Sequence, residues 1–169
     1  DVTDPTSPTE VGPGLEINGT SNTFVLTGVT VNGNAHRAAF LAMMRDTKEL
    51  MVLDVSNDAA PVEISGATLN LSGSADADAV YVLGNTLYLG RDRNSGPELL
   101  VYDISYGEDG AGKLTVSLTQ VGSQDISDDV TDIRVFSTFA FLATEKSNDE
   151  LQIWDVSNPS APTAKTHYE

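Results

Sequence analysis

Glu150-Leu151-Gln152-Ile153-Trp154-Asp155-Val156-Ser157-Asn158-Pro159 decides the fold of this chain. Leu151 to Trp154 has the apolar, β-branched and aromatic content of a strand. Asp155 stands where a strand ends, since an Asp side chain accepts from backbone N–H groups two or three residues on. The stretch recurs as Glu49-Leu50-Met51-Val52-Leu53-Asp54-Val55-Ser56-Asn57 and as Glu98-Leu99-Leu100-Val101-Tyr102-Asp103-Ile104-Ser105. A truncated copy, Asp1-Val2-Thr3-Asp4-Pro5-Thr6-Ser7-Pro8, matches Asp155 to Pro162. The anchor aspartates 1, 54, 103 and 155 therefore recur roughly every 50 residues, a period that belongs to repeat architectures.

A second strand precedes each anchor: Ala39–Ala42, Leu87–Gly90 and Ala140–Ala143. A third precedes that: Val29–Val31, Val80–Val82 and Ile133–Val135, joined through tight turns such as Asn32-Gly33-Asn34 and Gly84-Asn85. A fourth follows each anchor, as in Lys113 to Leu118. Ala38 to Met44 looks helix-prone alone, but it aligns with strands in the other two copies. Each unit thus reads as a four-stranded antiparallel meander. One such sheet cannot bury both faces, so the units must stack. The expected fold is all-β, a partial β-propeller of about three four-stranded antiparallel blades. The expected divisions are 1–16 (outer strand or linker), 17–66 (blade 1), 67–120 (blade 2) and 121–169 (blade 3).

The Leu-x-x-x-Asp-Val-Ser-Asn-Pro-x-x-Pro pattern resembles the LVIVD-repeat family of β-propellers, with Leu151 to Pro159 the best match. The middle copy departs from it, because Ser105 to Gly112 replaces the Ser-Asn-Pro turn by a longer Gly-rich loop. The resemblance implies repeat architecture with surface and extracellular examples, and it transfers no catalytic residues.

Charge restricts partners. Acidic residues number 25 against 9 basic ones, a net charge of −16. Nucleic acid and anionic membrane both need clustered Lys or Arg, so neither is an expected partner. With no cysteine, disulfides, thiolate metal sites and cysteine nucleophiles are excluded. No apolar run reaches the ~18 residues of a membrane span. Asp1 to Pro5 has neither the basic nor the apolar region of a signal peptide.

The anchors Asp54, Asp103 and Asp155 read as turn caps. Glu49, Glu98 and Glu150 read as polar starts of the same strand. Asp125, Asp128, Asp129 and Asp132 form the densest acidic run, with Asp76 and Asp78 in the corresponding place one blade earlier. Ca²⁺ takes several carboxylate and carbonyl oxygens from a flexible loop, so the run of four is the candidate metal site; it lacks EF-hand spacing and a closing Glu. No other cofactor is expected. His36 and His167 lack metal-site spacing, and no Gly-x-Ser-x-Gly elbow occurs. Arg91-Asp92-Arg93 is the one basic cluster and reads as a solvated loop. Asn18-Gly19-Thr20 and Asn70-Leu71-Ser72 match the glycosylation sequon.

The resulting expectation is a non-enzymatic binding or scaffold module, extracellular or on a cell surface, taking a protein or glycan ligand. Three blades are fewer than the about four to eight of a closed ring. Either the chain is a piece of a longer propeller or it associates head to tail. Association leads to the alternative function, a subunit of a polymer built by strand exchange; an enzyme with its site in the channel is a third. Leu53, Tyr102 and Trp154 are equivalent positions, as are Leu41, Leu89 and Leu142, and the leucine set is expected to be buried between blades.

Overall fold

The computed structural model describes residues 1–45, 47–93 and 96–168. Twelve strands form three four-stranded sheets, with one 3-10 turn at Ser65–Ala67 as the only helical element among the described residues. Blade 1 comprises β1 (Thr20–Val31), β2 (Asn34–Met44), β3 (Leu50–Asp54) and β4 (Val62–Glu63). Blade 2 comprises β5 (Ala77–Leu83), β6 (Thr86–Arg91), β7 (Leu99–Glu108) and β8 (Leu114–Gln124). Blade 3 comprises β9 (Val130–Phe136), β10 (Phe139–Thr144), β11 (Leu151–Asp155) and β12 (Thr163–Tyr168). Neighbours in sequence are neighbours in each sheet, and every pairing is antiparallel. This is the expected partial propeller-like meander. Blade 2 runs on to Gln124, past the division placed at 120.

The blades stack through alternation along their strands, because successive side chains leave a sheet on opposite faces. Leu87, Leu89, Leu100 and Tyr102 on the front of blade 2 pack with Phe40, Leu50 and Val52 on the back of blade 1. Ile133, Val135, Leu142 and Trp154 on the front of blade 3 pack with Tyr88, Leu99 and Val101 on the back of blade 2. Leu41, Met43, Met51 and Leu53 form a third cluster on the front of blade 1, joined by Ile17 and Val55. Leu89 and Leu142 are buried between blades as expected; Leu41 is buried too, but on the front of blade 1 in the third cluster, with no second blade opposite among the described residues.

The ladder corrects one alignment. Leu41 pairs with Phe24, as Leu89 pairs with Val80 and Leu142 with Ile133. Phe24–Leu26, not Val29–Val31, is therefore the counterpart of Val80–Val82. The hairpin of β1 and β2 is longer than its equivalents, so Val29–Val31 lies in its protruding end. That end meets the other irregular hairpin, β7–β8. Glu108 there accepts from Asn32 Nδ2 (3.0 Å) and Asn34 Nδ2 (2.9 Å) and pairs with His36 Nε2 (2.6 Å). These contacts hold the Glu108 carboxyl below the usual range, His36 first, then Asn34 and Asn32.

Candidate functional surfaces at the two ends of the stack

The anchor aspartates mostly act as caps. Asp54 Oδ1 accepts from Ser56 N and Asp155 Oδ1 from Ser157 N, each at 2.9 Å, and Asp1 Oδ1 accepts from Thr3 N at 2.8 Å. Three residues later the device repeats: Asn57, Asn158 and Asp4 accept from the N–H groups of Ala59, Ser160 and Thr6. Hydrogen bonds from Ser157 and the nearby Lys165 hold the Asp155 carboxyl down to about 2. Asp103 is a correction. It lies mid-strand in β7, exposed, with Thr119 opposite, because the middle copy runs straight on into its long hairpin. The cap is postponed to Asp109, which accepts from Ala111 N and Lys113 N at the hairpin tip.

The recurring glutamates are a larger correction. Glu49 and Glu98 are not solvated strand starts; they are 0% and 1% exposed. Glu49 Oε2 accepts from Leu71 N (2.7 Å), and Glu98 Oε2 accepts from Ile126 N (2.8 Å) and Ser127 N (3.1 Å). Leu71 and Ile126 lie on the segments that carry the chain into the next blade. Each glutamate therefore ties its own blade to the entry of the following one. A buried carboxyl is tolerated there because its Oε2 meets backbone donors that would otherwise be unsatisfied, although Glu49 Oε1 is buried with no hydrogen-bond partner. Glu150, the third in the series, is exposed.

The same asymmetry marks the faces. Leu50, Val52, Leu99 and Val101 on the backs of blades 1 and 2 are fully buried. On the back of blade 3, Leu151 and Phe139 are exposed, Phe141 and Ile153 are half-buried, and Phe136 is 78% exposed. At the other end, Phe24 and Leu26 on the front of blade 1 are 66% and 61% exposed. Their counterparts Val80, Ile133 and Val135 are buried. A cavity of about 360 Å³ opens beside them, lined by Leu26, Gly28, Arg37, Val55, Asp58 and Pro61. A second cleft of about 500 Å³ lies between the rims of blades 1 and 2, with Glu63, Asp109 and Lys113 among its lining.

The model of the LVIVD repeat family matches residues 42–68 and 125–169. These two stretches are similar to the LVIVD repeat. The matched segments are β3 and β4 of blade 1 with their flanking turns and the whole of blade 3; the unmatched middle unit is the one whose anchor runs on as a strand. Searches of curated proteins and of solved structures found no match.

Within the second matched stretch the acidic run is dispersed. Asp125 Oδ1 accepts from Ser127 Oγ, Asp128 Oδ1 from Asp129 N, Asp129 Oδ1 from Arg93 N, and Asp132 Oδ1 from Ile133 N and Arg134 Nη1. No three His, Asp or Glu side chains among the described residues converge as metal ligands. Arg91 is also unlike its expectation: it is buried, and its Nη2 donates to Ser72 O at 3.2 Å. Asp78 meets Asp92 and accepts from Asn22 Nδ2. Burial, then the hydrogen bond and charge of Asp92, push the Asp78 carboxyl up to about 7. Sequence reading overlooked the inter-blade glutamates. The available signal was a charged residue recurring directly before an apolar strand, where solvent exposure is the commoner cause.

Proposed function

We propose that this LVIVD-repeat chain is a non-enzymatic binding or scaffold module, working outside the cell or at its surface, that binds through the end faces of its blade stack. The observation that supports this is the exposure of Phe24 and Leu26 at one end and Phe136, Phe139 and Leu151 at the other. Exposed apolar residues clustered on one face mark interaction sites more often than scattered ones do. The sides of the stack are strand edges and turns rich in carboxylates, which suits the net charge of −16. The surface setting draws on the resemblance stated above.

A photoreactive phenylalanine analogue tests this when placed singly at Phe136, at Leu26, or at Thr119, an exposed position on the outer strand of blade 2. In the native setting the two end positions should give discrete adducts, and Thr119 none. The same pattern from all three positions, or no adduct at either end, refutes the proposal.

A further inference from the structure

Residues 9–16 precede blade 1 and belong to none of the three sheets. Their phase identifies them. Asp1 to Pro8 matches Asp155 to Pro162, so Thr9 onward corresponds to β12, and Gly12 corresponds to Thr166. Thr166 pairs with Ile153, whose counterpart Val101 pairs with Gly122 in β8. Gly12 and Gly122 are thus the same position in outermost strands, and their surroundings agree. A Cβ on Gly122 would lie 2.1 Å from Pro159 O, in the turn of the following blade. A Cβ on Gly12 would lie 2.4 Å from Ala59 O, in the corresponding turn of blade 1. Only a glycine admits a backbone this close. Residues 9–16 therefore sit on blade 1 where the outermost strand of a preceding blade would sit.

Ile17 completes the correspondence. It packs on the front of blade 1, as Leu71 packs at the seam of blades 1 and 2 and Ile126 at that of blades 2 and 3. The N–H groups of Leu71 and Ile126 are held by Glu49 and Glu98. Among the described residues, the front of blade 1 has the entry segment of a seam and meets no glutamate from another blade. The back of blade 3 has the exposed glutamate, Glu150, and among the described residues no entry segment covers it.

We infer that these ends are the two halves of one seam, joined between copies: the back of blade 3 of one copy packs on the front of blade 1 of a second, whose residues 9–16 replace β12 beside β11. The inference rests on the end faces being the binding surfaces, and it names the occupant as a second copy of this chain. Phe136, Phe139 and Leu151 of the first copy then cover Phe24 and Leu26 of the second, and Glu150 captures the N–H of Ile17. β12 and residues 9–16 claim the same place beside β11, so association must release β12. The contact is head to tail: it closes a ring if the rotation permits and otherwise continues as a filament. Salt screens the repulsion between the acidic copies and promotes it.

The test is sedimentation equilibrium of the full chain over a wide concentration range, with hydrogen exchange on the same samples. The average mass should rise with concentration and with salt. Phe136→Ser and Glu150→Ala should each weaken association, the latter by roughly tenfold to a hundredfold. Glu150→Gln, which retains an acceptor oxygen, should recover most of that loss. Exchange at β12 amides should quicken as association proceeds. A monomer at every concentration, or association indifferent to Glu150→Ala, overturns the inference. If the chain is monomeric while Phe136 and Leu26 still give discrete adducts to another protein, the binding-module reading stands and only the second copy is excluded.

Discussion

Replacing Glu98 by Ala removes the acceptor for two backbone donors at the seam of blades 2 and 3. Ile126 is buried, so its N–H loses its partner with no water to take over, at about 1–3 kcal/mol. Ser127 is exposed, and its N–H at 3.1 Å adds about 0.5–1 kcal/mol. The sum is about 1.5–4 kcal/mol, or a fall in Tm of roughly 3–16 °C for a chain of this size. Urea denaturation monitored by Trp154 fluorescence suits the measurement, because Trp154 lies in the same seam. Glu98→Gln keeps an acceptor and should cost less. Glu49→Ala should lose about 1–3 kcal/mol through Leu71 N. Glu150→Ala should shift the monomer by no more than about 0.5 kcal/mol, since that side chain is exposed. Equal losses at positions 98 and 150, or a loss under about 0.5 kcal/mol at 98, would refute the role given to these glutamates.

Leu142→Ala should cost about 2–5 kcal/mol in the same denaturation assay, because it opens a cavity in the seam of blades 2 and 3. The Glu108 carboxyl is held below its ordinary value of 4.5, so its contribution is present above that value and is lost as pH falls through the lowered one; Glu108→Gln should flatten the acid limb of a Tm-against-pH profile. Asp78 has the opposite sign: raised from 3.8 to about 7, it favours the fold fully below 3.8, and that contribution is lost as pH rises through about 7. Asp78→Asn should therefore raise Tm above neutral pH and leave it little changed in mild acid, and a lower Tm at pH values above 7 would count against this account.

The units, their four strands and their order were legible in the amino-acid sequence. Those features follow from local chemistry: strand-forming runs, an Asp or Asn that caps its own turn, and a period long enough to be recognised three times. The alternation that buries Leu89, Leu142, Tyr102 and Trp154 was legible for the same reason. Tertiary structure decided what depends on neighbours distant in the chain. Glu49 and Glu98 look like any charged strand start until the next blade brings Leu71 and Ile126 against them. Val29 to Val31 aligns with the other inner strands by its turn, and only the ladder to β2 shows that Phe24 to Leu26 is the true counterpart. Asp125, Asp128, Asp129 and Asp132 are close in sequence, yet each accepts from its own donor. Whether Phe136 or Phe24 is covered depends on which blade stands opposite. No local pattern encodes that, because the same side chains are core inside the stack and surface at its ends.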